Sequence, residues 1–81
     1  MISVSIIHRH EPGYGWFFTS PDLPGLTGSD VSYAAAKERA EDAVRFHLTC
    51  EAEEQNLPAP NLDALEFEHF VPASEAPTLA A

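Results

Sequence analysis

Residues 32–55 read SYAAAKERAEDAVRFHLTCEAEEQ, and this stretch decides the architecture. No glycine or proline interrupts it, and alanine and glutamate dominate. At about 100° per residue, Tyr33, Ala36, Ala40, Ala43, Val44 and His47 share one stripe, with Phe46 and Leu48 on its two flanks. Glu38, Glu41, Asp42, Arg45 and Glu53 fall on the other side. The pattern predicts one long amphipathic helix from Tyr33 to Gln55, with a narrow face whose alanines let it sit close to a sheet. Ser32 supplies the N-cap. Asn56 can take the left-handed conformation that ends a helix, and Pro58 prevents continuation. Glu51 and Glu54 land on the inward stripe. Either the helix outruns the sheet in its last turns or these carboxylates meet a partner.

Upstream of the helix the period changes to two. Ile2, Val4 and Ile6 alternate with Ser3 and Ser5, the pattern of a half-buried strand over Ile2 to Ile7. Glu11-Pro12-Gly13-Tyr14 carries Pro and Gly where a type II turn wants them. Gly15-Trp16-Phe17-Phe18-Thr19 is aromatic and strand-prone, so the two segments read as a hairpin. Pro21 and Pro24 stop that strand, Pro24-Gly25 suits another type II turn, and Asp22 can accept nearby backbone N–H groups. Leu26 to Ser29 is a short third strand. Downstream, Leu57 to Asn61 is a connector. Leu65, Phe67, His69 and Val71 alternate with Glu66, Glu68 and Phe70 as a fourth strand, ended by Pro72. The order β-β-β-α-β predicts an α+β, two-layer domain with one long helix on a mixed four-stranded sheet. The helix makes a right-handed crossover, which sets the fourth strand parallel to the first. The exposed face would carry Ser3, Ser5, Ile7, Glu66, Glu68, Phe70 and alternate residues of Trp16-Phe17-Phe18.

The chain has 81 residues, enough for one domain at about 100–200 residues each. A chain of this size buries only roughly 60–65% of its unfolded surface, so a homo-oligomer or another partner would help it. Four Lys+Arg against 13 Asp+Glu give a net charge of -9. That charge disfavours direct nucleic-acid contact and anionic membrane, and favours a basic partner or simple solubility. A single cysteine, Cys50, excludes an internal disulfide or a cysteine-based zinc site. With no signal-peptide pattern and no run near ~18 apolar residues, the expected location is cytoplasmic.

The segment from Gly15 to Gly25, with its Pro21-Asp22-Leu23-Pro24-Gly25 string, resembles the HicB-type antitoxin family. Gly28-Ser29-Asp30-Val31-Ser32, the helix spacing Ala36, Ala40, Ala43, Val44 and Leu48, and the exit Leu57-Pro58-Ala59-Pro60 extend the resemblance over residues 1–72. The resemblance implies a partial ribonuclease-H-like fold without nuclease activity. It also implies neutralisation of a small, basic, mRNA-cleaving toxin of the HicA type. Family members often add a C-terminal DNA-binding domain. Here residues 73–81 read as a flexible tail, which marks a short form without that module.

The residues themselves are compatible with that partner. A carboxylate-rich helix face can imitate phosphates and steer a basic surface into contact. Glu38, Glu41, Asp42, Glu51 and Glu54 are the candidates, with Trp16 as an aromatic anchor if it faces outward. The plain alternative is a solvated helix face, because exposed charges contribute little. Pro21, Asp22, Leu23, Pro24 and Gly25 set the loop between strands two and three. A stand-alone oligomeric binding module of the same fold is the competing function. A two-metal nuclease is disfavoured, since the first strand carries no acid over Ile2 to Ile7 and Glu66 with Glu68 make a poor site alone. His8 and His10 share a strand face that His69 could join, a spacing compatible with a metal. The simpler reading is a polar strand end with His10 exposed. His47 reads as a hydrogen-bonded core or interface residue, and Cys50 as a small buried hydrophobe. No cofactor, metal or catalytic residue is expected.

Overall fold

Alternation that starts with Val4 and Ile6 continues through His8 and His10. Strand β1 therefore runs from Ile2 to Glu11, beyond the purely apolar alternation. The computed structural model describes residues 2–72, and the expected tail at 73–81 lies outside them. Tyr14 N–H donates to Glu11 O at 2.9 Å and Gly13 takes φ 86°, which closes the expected turn. Strand β2, Gly15–Thr19, pairs antiparallel with β1, and β3, Thr27–Asp30, pairs antiparallel with β2. Helix α1 covers Tyr33–Glu54, and β4, Leu65–Phe70, returns parallel to β1 after a 3-10 turn at Leu62–Ala64. The sheet order is β3-β2-β1-β4, so the fold is α+β, one long helix against a mixed four-stranded sheet.

The helix ends are set by local chemistry. Ser32 Oγ accepts from Ala35 N at the N-terminus. At the other end Asn56 takes φ 55°. Asn56 N–H donates to Glu53 O and Leu57 N–H to Ala52 O, the paired bonds of a Schellman cap.

The core lies between α1 and one sheet face. Ala36, Ala40 and Val44 meet Val4, Ile6, Trp16, Phe18 and Leu26. Gly28 is needed here, because a Cβ at this position would lie 2.5 Å from the Phe18 ring. Trp16 and Phe18 point inward, while Phe17 points outward with Ile7 and Phe70.

The Pro21 loop is bound to β1 rather than only turning the chain. The β1–β2 register sets Ile7 opposite Thr19, so Ser5 would face Pro21, which has no N–H to offer. Side chains complete the pairing. Asp22 Oδ2 accepts from Ser5 N at 2.7 Å, and Ser20 Oγ donates to Ser5 O at 2.7 Å. Leu26 N–H then donates to Leu23 O across Gly25, which takes φ 89°.

Candidate interaction site

The wholly buried residues of α1 end at Val44, and Leu48 packs on the core one turn further on. Two shallow, open grooves follow the helix on its β3 side and meet at Ala43. One is lined by Asp30, Ala35, Glu38, Arg39 and Asp42, the other by Leu26, Thr27, Phe46, His47, Cys50, Glu51 and Glu54. Together they form a trough between α1 and strand β3. Among the described residues β3 has no neighbour on its outer side. Phe46 stands in this trough 72% exposed, a large apolar side chain in mid-helix with little covering it.

Four of the five candidate helix carboxylates, Glu38, Asp42, Glu51 and Glu54, therefore line one feature. The nearby basic side chains are engaged. Arg39 Nε donates to Asp30 Oδ2 at 3.2 Å, Arg45 Nη1 donates to Asp42 Oδ1 at 3.0 Å, and His47 Nε2 lies 3.3 Å from Glu51 Oε2. The Val31 N–H and the Arg39 guanidinium hold the Asp30 carboxyl below its usual range. The last helical turn contains no basic residue but does contain Glu51, Glu53 and Glu54. They sit at the negative end of the helix dipole, where each carboxylate is unfavourable by about 0.3–1 kcal/mol. A cation brought by a partner would relieve that.

Glu41 does not belong to the trough, and its assignment to the solvated side is corrected. It lies on the opposite flank of α1, where Oε2 accepts from His69 Nε2 of β4 at 2.7 Å. His69 Nδ1 in turn bonds His8 Nε2 of β1 at 2.7 Å. His8 Nδ1 is buried with no hydrogen-bond partner. His8 is wholly buried, with Tyr33 edge-on at 4.9 Å. Burial first, then His69 and then Lys37, push its pKa down to about 4. Burial also raises the Tyr33 hydroxyl. Arg45 lies over the Phe67 ring at 5.3 Å, which fills the rest of this flank.

Trp16 is corrected as a contact residue. It is 6% exposed and stacked near Tyr33 and His10, because its register opposite His10 turns it toward the helix. The outward aromatic is Phe17. His10 is half-buried against Trp16 rather than exposed, and His69 joins His8 but not His10. Among the described residues no three His, Cys, Asp or Glu side chains are grouped to hold a metal ion. Cys50 is half-buried and lines the trough rather than the core. Pro21 and Asp22 are exposed and Leu23 packs on the core. Among the described residues no helix is long and apolar enough to cross a membrane. Sequence reasoning brought His69 to His8 but missed Glu41 as its further partner, and it missed Phe46 as an exposed side chain.

No family model matches the chain, and no curated protein or solved structure compared with it matches either.

Proposed function

We propose that the chain is a HicB-like, antitoxin-type binding protein. Its task is to neutralise a small basic mRNA-cleaving toxin of the HicA type by occupying the surface with which that toxin would hold RNA. The observation that carries this reading is the trough. Glu38 and Asp42 line one groove and Glu51 and Glu54 the adjoining one beside the exposed Phe46, the two meeting at Ala43, and the acids of the last turn sit against the helix dipole. A phosphate-binding surface is the complement of such a feature. The partial ribonuclease-H-like fold belongs to the same reading, and the β-β-β-α-β order is compatible with it. On this reading the protein is a cytoplasmic binder and not an enzyme. The test is co-expression with a HicA-type toxin encoded beside it, scored by growth and by co-purification. Restored growth and a stable complex are expected. Continued toxicity without a complex overturns the reading.

A second reading, a stand-alone oligomeric module, is favoured by a different surface. Phe17 at 41% and Phe70 at 49% exposure flank Ile7 on the sheet face away from the helix. Sedimentation of the purified chain separates the two. A stable oligomer that dissociates on Phe17→Ser, with no toxin bound, supports the module.

A further inference from the structure

The sheet has two outer strands among the described residues, β3 and β4, and they differ on their inner flanks. Beside β4 the space under the helix is filled by Arg45 over Phe67 and by the Glu41–His69 bond. Beside β3 it is the open trough. Strand β3, Thr27-Gly28-Ser29-Asp30, also carries no lysine, arginine or proline to blunt its free edge, and its one charged side chain, Asp30, is turned to Arg39 of the helix. A strand added about 4.8 Å outside β3 would alternate its side chains between the trough and the outer sheet face. Those entering the trough would meet Phe46 and the carboxylates of Glu38, Asp42, Glu51 and Glu54. A docked helix could satisfy the carboxylates but would leave the β3 backbone edge unpaired.

We propose that β3 and the trough together accept an extended, lysine- or arginine-bearing protein segment as a fifth strand. Backbone pairing to β3 gives the segment its direction and reach. Alternate basic side chains give it selectivity, and the four-residue length of β3 limits the ladder to a short segment. The inference rests on the antitoxin reading only for the identity of the partner. The mode of docking follows from the edge and the charge.

The experiment uses the whole chain and two eight-residue probes, one alternating Lys and Val, the other alternating Lys and Pro. The probes have equal charge, but proline cannot pair along a ladder. Amide hydrogen exchange and chemical shifts are followed by NMR. The Lys-Val peptide is expected to slow exchange at alternate amides within Thr27–Asp30 and to shift the Phe46 resonances. The Lys-Pro peptide should bind at least ~10-fold more weakly. Charge reversal at Asp42→Lys with Glu51→Lys should weaken the Lys-Val peptide by a similar factor of about 10, and added salt should do the same. Equal binding of the two peptides overturns the proposal. So do protection at Leu65–Phe70 instead of β3, unchanged binding on charge reversal, and failure of both probes to bind. The toxin experiment stays separate. Neutralisation by a complex in which β3 amides remain unprotected removes this docking mode and leaves the antitoxin reading standing. Strand addition without neutralisation does the reverse.

Discussion

Acidification from pH 7 to about 4 should remove about 3 kcal/mol of stability through His8 alone. The His8 pKa falls from 6.5 to about 4 on folding, and each pKa unit is worth about 1.4 kcal/mol. The folded-state pKa is the lower one. As the pH drops below 6.5, the unfolded chain therefore takes up a proton that the folded chain refuses. Stability is fully present above pH 6.5, falls through the window from 6.5 to 4, and loses nothing more from this group below 4. The physical cause is burial of the ring first, then the neighbouring His69 and Lys37, and a charged ring would also carry a buried Nδ1–H with no acceptor. A loss of about 3 kcal/mol is a large share of the roughly 4–10 kcal/mol that a domain of this size holds. Urea titrations at half-unit pH steps, read by the single tryptophan, Trp16, measure it directly. At a slope of about 1 kcal/mol/M the midpoint should fall by about 2–3 M. His8→Gln keeps an N–H donor for His69 Nδ1 but cannot titrate. That variant is less stable at pH 7, through lost packing against Tyr33 and Phe18, and its curve should be flatter by about 3 kcal/mol over the same window. Parallel curves for the wild type and His8→Gln would refute the reasoning.

Three further outcomes follow from the packing. Val44→Ala should cost about 2–3 kcal/mol by chemical denaturation, because Val44 is wholly buried on the inner face of the helix, whereas Leu48→Ala, at a half-buried site, should cost less than full burial would imply. Gly28→Ala should cost about 1–3 kcal/mol, with shifted Phe18 ring resonances, since the new Cβ meets that ring. Asp22→Ala should cost about 1–2 kcal/mol and speed exchange of the Ser5 amide, which loses its acceptor.

Much of the fold was legible because its decisive residues act locally. Ser32 and Asn56 cap the helix through their own neighbours, and Pro12-Gly13 and Pro24-Gly25 close their turns within four residues. Alternation set the parity of β1 and β4. The run Trp16-Phe17-Phe18 carries no such signal, since three aromatics in succession fit either face. Only its pairing with His10, Arg9 and His8 decides that Phe17 is the outward one. Glu41 was hidden for a similar reason. A helical wheel places it toward water, but the wheel does not know that β4 passes along that flank. Of the candidate site, the acids of the trough could be collected from one helix. The β3 edge and the uncovered Phe46 could not, because both depend on where the sheet ends beneath the helix.

The clamp of Ser20 and Asp22 on Ser5 has a consequence for how the hairpin finds its alignment. A slip of one residue along β1 would turn Trp16 and Phe18 to the outer face and Phe17 to the core. The same slip would take Pro21 away from the one place where a missing N–H is made good by neighbouring side chains. Correct register is thus specified twice, by apolar burial and by a polar latch at the strand end. The latch spans only 15 to 17 residues of chain. A contact that local costs little loop entropy. The Pro-Asp-Leu-Pro-Gly loop is in this sense a ruler for the sheet, and loosening it would be felt first as misaligned strands rather than as a lost turn.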